Sequence, residues 1–231
     1  MASTFFGLTI AYTGLQAAQT SINVTSHNLA NINNQSYTKE TASIKAGEAL
    51  RSYAKYGTLG AGVIVDGKPL CGYNGAAAEL GHLPVVEDEQ EYCNCGKKGC
   101  LEQVASATGI VRTATRMLNE SEEPSSLRDI PYISAKVVFD EAKAGDLIAL
   151  NVVDYVCRYL GKGIACAVGM VDPEVISIGG GVSAAGEFLL SRISKYYKEY
   201  VFHASRNTQI IQATLGNDAG MYGAARLVMN D

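Results

Sequence analysis

An α/β lobe preceded by an α-helical, coiled-coil-type segment is the architecture that this 231-residue sequence predicts. Three observations carry the prediction. Leu8, Leu15, Ile22 and Leu29 recur every seven residues near the N-terminus. From Val63 onward, short β-branched runs alternate with amphipathic helical patterns, the order expected of an α/β unit. His82, Cys93, Cys95 and Cys100 form an H-x10-C-x-C-x4-C cluster near the start of the second regime.

The composition limits the function classes. Hydrophobic residues make up 47% and charged residues 18% of the chain, which describes an ordinary globular protein with ample core material. The net charge is −4 and no basic cluster is present, which argues against nucleic acid as the main partner. No apolar run approaches the roughly 20 residues that span a bilayer, so no membrane partner is expected. The first basic residue is Lys39, so the charged start of a secretion signal is missing. A metal-ligating cysteine cluster also fits a reducing compartment. A cytoplasmic location is the expectation.

In chain order, residues 1 to 56 hold only six charged side chains, Lys39, Glu40, Lys45, Glu48, Arg51 and Lys55, and no Pro. The heptad leucines and Ile22 alternate with Ala11, Ala18 and Thr25, a large–small seam that predicts a helix over residues 5 to 30 packing closely on another helix. A lone amphipathic helix burying the stripe on its own domain is the alternative. No matching partner helix follows, so this helix is expected to stand outside the downstream core and to self-associate or fray. Val63-Ile64-Val65, Asp66-Gly67-Lys68 and Pro69-Leu70 read as a β-hairpin turned by Asp-Gly. Glu79 and His82 follow three residues apart, on one face if the segment is helical.

Three thiols and an imidazole within residues 82–100 form the borderline-soft donor set that Zn²⁺ prefers, and four protein ligands make a closed structural site. Gly96 and Gly99 supply unusual backbone angles where the chain wraps tightly. Lys97 and Lys98 favour thiolates. The alternative is a group of free or disulfide-forming cysteines, although a Cys-x-Cys pair cannot easily close on itself.

Leu101–Asn119 reads as one amphipathic helix, apolar at Val104, Ala107, Ile110, Val111, Ala114 and Leu118. A polar break at Ser121–Leu127 precedes helical regions at Ser134–Asp146 and Leu147–Asp172, the second more apolar and holding Cys157 and Cys166 as buried thiols without function. Val175–Ile178 is a short strand followed by Gly179, Gly180 and Gly181 and a helix from Ser183. Strand, glycine loop and helix start can receive an anion or nucleotide, though triple Gly alone is more often a turn. Tyr196, Tyr197 and Tyr200 read as packing residues, Gln209–Leu215 as the last strand, and Gly216–Gly220 opens a closing helix.

Two resemblances sharpen this reading. Ser3–Thr41, and most specifically His27-Asn28-Leu29-Ala30-Asn31 followed by Ser36-Tyr37-Thr38, resembles the N-terminal segment of flagellar hook-associated and other axial proteins. That likeness continues through Ala46–Val63 and implies a helix of the filament's inner coiled coil, with the flagellum as an alternative destination. From Gly60 the chain resembles the C-terminal portion of bacterial sugar kinases of the ROK family (repressor, open reading frame, kinase), glucokinases above all. Val63–Ile110, Asp172–Ser191 and Leu215–Arg226 carry this likeness in the family's order. The two meet at Gly60–Val63, which suggests a fusion of an axial-like segment, residues 1–62, with a kinase-like lobe, residues 63–231.

The ROK resemblance implies a ribonuclease H-like, actin-like ATPase fold and ATP-dependent phosphorylation of a hexose such as glucose. It places Glu79, His82 and Glu102 on sugar hydroxyls, Gly179, Gly180 and Gly181 on the nucleotide side, and ATP with Mg²⁺ as cofactors beside structural Zn²⁺. Acceptor-side chemistry needs a carboxylate to take the hydroxyl proton. In the family this is an Asp of an Asn-Asp pair, but the corresponding window, Ala30–Asn34, reads Ala-Asn-Ile-Asn-Asn, and the first Asp of the chain is Asp66. The family's Asp-x-Gly-Gly-Thr phosphate loop is also missing, and the second loop survives only as Gly57–Gly62. Asp218 matches a position near the closing helix rather than the acceptor. No catalytic residue is therefore assigned, and little or no turnover is expected. A sugar-responsive regulator is a further reading, since the family includes repressors; residues 1–38 lack the Lys and Arg of a DNA-binding helix-turn-helix.

Overall fold

The computed structural model describes residues 59–215 apart from residues 71 and 75. The predicted heptad helix, Gly57, the Ala30–Asn34 window and the closing helix from Gly216 lie outside the described residues.

Strands β1 (Ile64–Val65) and β2 (Lys68–Pro69) form the expected hairpin, pairing Ile64 with Pro69 and Val65 with Lys68. Asp66 and Gly67 turn it with φ of 51° and 74°, the double positive-φ geometry that Asp-Gly adopts readily. A 3-10 turn, Leu80–His82, leads into the cysteine loop.

The single helix expected from Leu101 is two helices: α1 (Glu102–Ala105) and α2 (Ala107–Glu120). Ser106 separates them in extended conformation, and its hydroxyl accepts the Gly109 N–H at 3.1 Å, capping α2. Gly109 lets the two segments pack closely, since a Cβ there would lie 2.7 Å from the Gln103 carbonyl. Arg128 then closes α2, donating to the carbonyls of Leu118 at 3.0 Å and Glu123 at 3.2 Å, and to that of Ser121.

Helix α3 (Ala135–Ala144) starts on the Ser134 hydroxyl and stops at Gly145, whose φ is 99°. Asp146 caps α4 (Leu147–Val171), accepting from Ala149 N–H at 2.8 Å. This 25-residue helix is the spine of the lobe. Ile148, Val152, Val153 and Val156 on α4 pack with Ile110 and Ala114 of α2 and Val138 and Phe139 of α3. Side chains of this kind contribute about 1.5–3 kcal/mol each on full burial.

Strand β3 (Val175–Ile178) pairs in parallel with β4 (Gln209–Gln212), Val175 opposite Gln209 and Ile178 opposite Gln212. The helix between them begins later than Ser183. Gly181–Ala185 is a 3-10 turn, and Gly186, at φ 65° and ψ −141°, delays α5 until Glu187–Tyr200. Leu189, Ile193 and Tyr197 of α5 are buried against the core, Tyr196 nearly so, and Tyr200 reaches the surface. Cys157 is buried as expected, but Cys166 is exposed, because it lies on the outer face of α4 between the buried Ala165 and Val168. Among the described residues no helix is long and apolar enough to cross a membrane.

Candidate metal centre and adjoining site

The 3-10 turn presents His82, and the cysteine loop folds back over it. Val85 and Val86 N–H groups both donate to Gly99 O, at 2.9 and 3.1 Å, and Pro84 bridges Cys100 in antiparallel fashion. At the loop tip Cys93 N–H donates to Lys97 O and Gly96 N–H to Cys93 O, which turns Cys93 and Cys95 inward together. Gly96 and Gly99 take φ of 84° and 78°, the left-handed conformation expected of them. Gly99 is under a second constraint, since a Cβ there would overlap the Val86 carbonyl oxygen.

The side-chain donor atoms of His82, Cys93, Cys95 and Cys100 all lie within 4.8 Å of one another. Cys93 Sγ is 3.6 Å from His82 Nδ1, and Cys95 Sγ is 3.4 Å from Cys100 Sγ. Tetrahedral zinc with bonds of about 2.3 Å to sulfur and 2.0–2.1 Å to nitrogen separates its ligands by about 3.5–3.8 Å. The quartet therefore fits such an ion in donor type, number and spacing.

Charge follows geometry here. Burial pushes the Cys93 thiol well up, and the hydrogen bond to Glu102 adds to it; burial likewise brings Cys100 up to about 11, with the neighbouring Cys95 sulfur adding to it. Burial also opposes the Cys95 thiolate, but the Lys97 N–H and the Cys100 and Cys93 thiols outweigh it and hold Cys95 below the ordinary thiol value.

Glu102 adjoins this cluster. It is 3% exposed; its Oε1 accepts from Cys93 Sγ at 2.8 Å and stands 3.5 Å from His82 Nδ1. Glu79 is half-buried at the start of the His82 turn and makes no side-chain cap bond to it. The structure therefore gathers His82, Glu102 and the three cysteines, with Glu79 on the adjoining turn. Gly179, Gly180 and Gly181 belong to another element, at the carboxyl end of β3. Gly180 has φ 81° and open space around it, Ser183 Oγ donates to its carbonyl at 2.7 Å, and the turn after β4 lies alongside through Ala213 N–H to Ile178 O at 2.8 Å. Adjacent carboxyl ends of parallel strands are where α/β sheets place ligands.

Four supporting residues went unread in the sequence. Gln103 bonds both Cys100 and Glu91, Arg112 forks onto Glu89, and Lys162 of α4 donates to Val85 O at 3.2 Å. Gln103 had a readable signal: Gln three residues after the start of a turn is capping-box spacing.

The family model for the ROK family matches residues 14–231. The chain belongs to the ROK family. It is 44% identical over 174 residues to a glucokinase of Halalkalibacterium halodurans, a match covering 74% of this chain and 53% of that protein. It is 33% identical over 170 residues to the DNA-binding transcriptional dual regulator NagC of Escherichia coli, covering 73% of this chain and 41% of the regulator. Among solved structures it resembles a ROK glucokinase of Streptomyces griseus in complex with glucose and AMPPNP, with a TM-score of 0.65, 33% identity, and coverage of 74% of this chain and 58% of that one. The lobe has the ROK fold, and the chain spans about half the length of the glucokinases it matches. The family match begins inside the segment that resembles axial proteins, whereas the glucokinase matches cover about three-quarters of the chain.

Proposed function

We propose that this chain is a glucokinase-like ROK lobe that binds a hexose such as glucose beside a structural zinc and phosphorylates it slowly or not at all. The observation that carries the reading is the convergence of His82, Cys93, Cys95, Cys100 and Glu102 in one cluster, with Cys93, Cys100 and Glu102 buried. His82, Cys93, Cys95 and Cys100 would hold zinc, which when bound supplies rigidity rather than reaction chemistry. His82 turns Nδ1 toward the cluster, leaving its other ring nitrogen for a sugar hydroxyl. With Cys93 held as a thiolate ligand and its proton released to solvent, Glu102 would no longer accept from an S–H and could accept from a sugar hydroxyl instead. Glu79 offers a second carboxylate, whose two oxygens suit vicinal hydroxyls. Gly179, Gly180 and Gly181 would face the nucleotide, with ATP and Mg²⁺ engaged weakly. A cytoplasmic setting without nucleic-acid or membrane partners belongs to the same proposal, supported by a net charge of −4 without a basic cluster and by the reducing compartment that suits a metal-ligating cysteine cluster.

Phosphoryl transfer lacks its acceptor-side base, because residues 1–65 contain no Asp. General-base assistance contributes about 10² to 10⁴ in rate, and lost phosphate positioning compounds it. A coupled ATP/glucose assay on purified chain should give turnover at least about a thousandfold below a complete ROK glucokinase, with about one zinc per chain by elemental analysis. Cys95→Ala should lose the metal, whereas Cys166→Ala should keep it. Turnover at an ordinary glucokinase rate, or less than about half an equivalent of zinc in the unsubstituted chain, overturns the respective half of this reading.

The similarity to NagC favours a second reading, a sugar-responsive regulator, which would use the same sugar-side residues without turnover. Residues 1–62 we read as an axial-like segment joined to this lobe and capable of self-association, on the strength of the heptad and His27–Asn31. Light scattering of the chain with and without those residues tests it, and identical monomeric mass in both excludes self-association.

A further inference from the structure

Gln103 is fully buried in the short helix α1, and both ends of its carboxamide are engaged. Oε1 accepts from Cys100 N–H at 3.0 Å, and Nε2 donates to the Glu91 carbonyl at 3.0 Å. Glu91 and Cys100 flank the segment that carries Cys93 and Cys95. One side chain therefore spans the mouth of the loop and sets the distance between its two ends. Its own backbone carbonyl accepts from Arg112 Nη2 at 2.9 Å, while Arg112 also forks onto Glu89, donating at 2.9 Å through Nη1. The Arg112 fork thus ties the incoming strand of the loop to the residue that closes it. None of these bonds uses a metal-ligating side chain, so the arrangement exists independently of any ion.

We propose that Gln103, braced by Arg112, is a positioning residue for the metal centre, holding the cysteine loop closed so that the donor atoms stand at ligand spacing before a metal arrives. The proposal rests on the reading of His82, Cys93, Cys95 and Cys100 as a zinc site. Its chemistry is specific to a carboxamide. Cys100 N–H is buried and requires an acceptor, the Glu91 carbonyl takes a donor, and an apolar side chain supplies neither bond. Side chains that hold the ligating residues in place in this way change metal affinity by about 10- to 100-fold.

The test uses the full chain, unsubstituted and as Gln103→Met and Arg112→Lys. In metal-free protein, amide exchange across residues 91–100 should run at least about tenfold faster in Gln103→Met. Zinc affinity, read by competition with a chromophoric chelator, should fall about 10- to 100-fold. At saturation the thiolate-to-cobalt charge-transfer band should keep its position, because the ligands are unchanged. Arg112→Lys, altered at a partly exposed site, should move both readouts in the same direction by less, and it decides the matter if Gln103→Met does not fold. Affinity within twofold of the unsubstituted chain, or exchange unchanged in the variant that folds, overturns the proposal. If the unsubstituted chain takes up neither zinc nor cobalt, the zinc reading fails, and the exchange comparison alone decides whether Gln103 closes the loop.

Discussion

Gly96 and Gly99 look alike in sequence, yet the fold uses them differently. Both sit at positive φ, but space is open around Gly96, whereas a side chain at Gly99 would collide with the Val86 carbonyl that shares the loop. Gly96→Ala should therefore cost about 1 kcal/mol, the price of the left-handed conformation alone. Gly99→Ala adds a steric clash with backbone and should cost on the order of 3 kcal/mol, with loss of metal binding. Urea denaturation of the two variants checks the ranking, and equal costs would show that the loop can shift away from Val86. The general feature, a tight cysteine loop needing special backbone angles, was legible in the sequence because Cys, Gly and spacing are local signals. The identity of the obstructing carbonyl was not, since it lies thirteen residues upstream and only folding brings it near. Only half of Gln103 was legible: its spacing from Cys100 is a local capping signal, but nothing in a helical pattern hints that its Nε2 reaches Glu91.

At the scale of elements, the caps carry most of what can be tested. Asp146 accepts from Ala149 N–H at the start of α4 and also from Ser125 Oγ at 3.0 Å and Ser126 N–H at 2.7 Å, so one carboxylate caps a helix and anchors the preceding turn. Burial works against its charge, but these bonds outweigh it and hold its pKa below the usual carboxylate value. The sign follows directly. A carboxyl with a lowered pKa in the folded state contributes stability that is complete above its unfolded pKa and is lost as pH falls through the folded value. Asp146→Ala should destabilise the lobe by about 1–2 kcal/mol at pH 7, and the gap to the unsubstituted chain should narrow as the pH drops below 4. Denaturation curves at pH 7 and pH 3 measure it; a gap that stays constant would mean the cap works without its charge. Elements themselves were read well where periodicity and caps agree, as in α3 between Ser134 and Gly145. They were misread where apolar spacing continued across a break: the stripe from Val104 to Leu118 spans Ser106 without interruption, because α1 and α2 face the same core. Gly186 delayed α5 for a different reason, since a glycine can start or stop a helix and the sequence does not say which.

For the whole molecule, the decisive contacts are at Gly161 and Gly163, two of the three glycines of α4. A Cβ on Gly161 would come within 2.7 Å of Tyr197 N, and one on Gly163 within 2.6 Å of Leu101. Residues two apart on a helix point to nearly opposite sides, so α4 is pressed simultaneously by α5 and by the residue that follows Cys100. Gly161→Ala should force α4 from α5 and cost about 1–3 kcal/mol, lowering the melting temperature of the entire lobe without changing its metal content. A loss of zinc with stability unchanged would contradict this division. The sequence showed α4 as a long apolar helix but not this double contact, which depends on Tyr197 and Leu101, 36 and 62 positions from their glycines. At 1.5 Å per residue the helix is about 37 Å long, and it is gripped just past its waist. A stiff beam held that way behaves as a seesaw: tilting about the grip carries its two ends in opposite directions. One end runs through Asp172 into β3 and the glycine turn, and the grip itself rests on the cysteine loop. The cysteine loop and the glycine turn after β3 thus bear on one helix, the first at its grip and the second beyond its end.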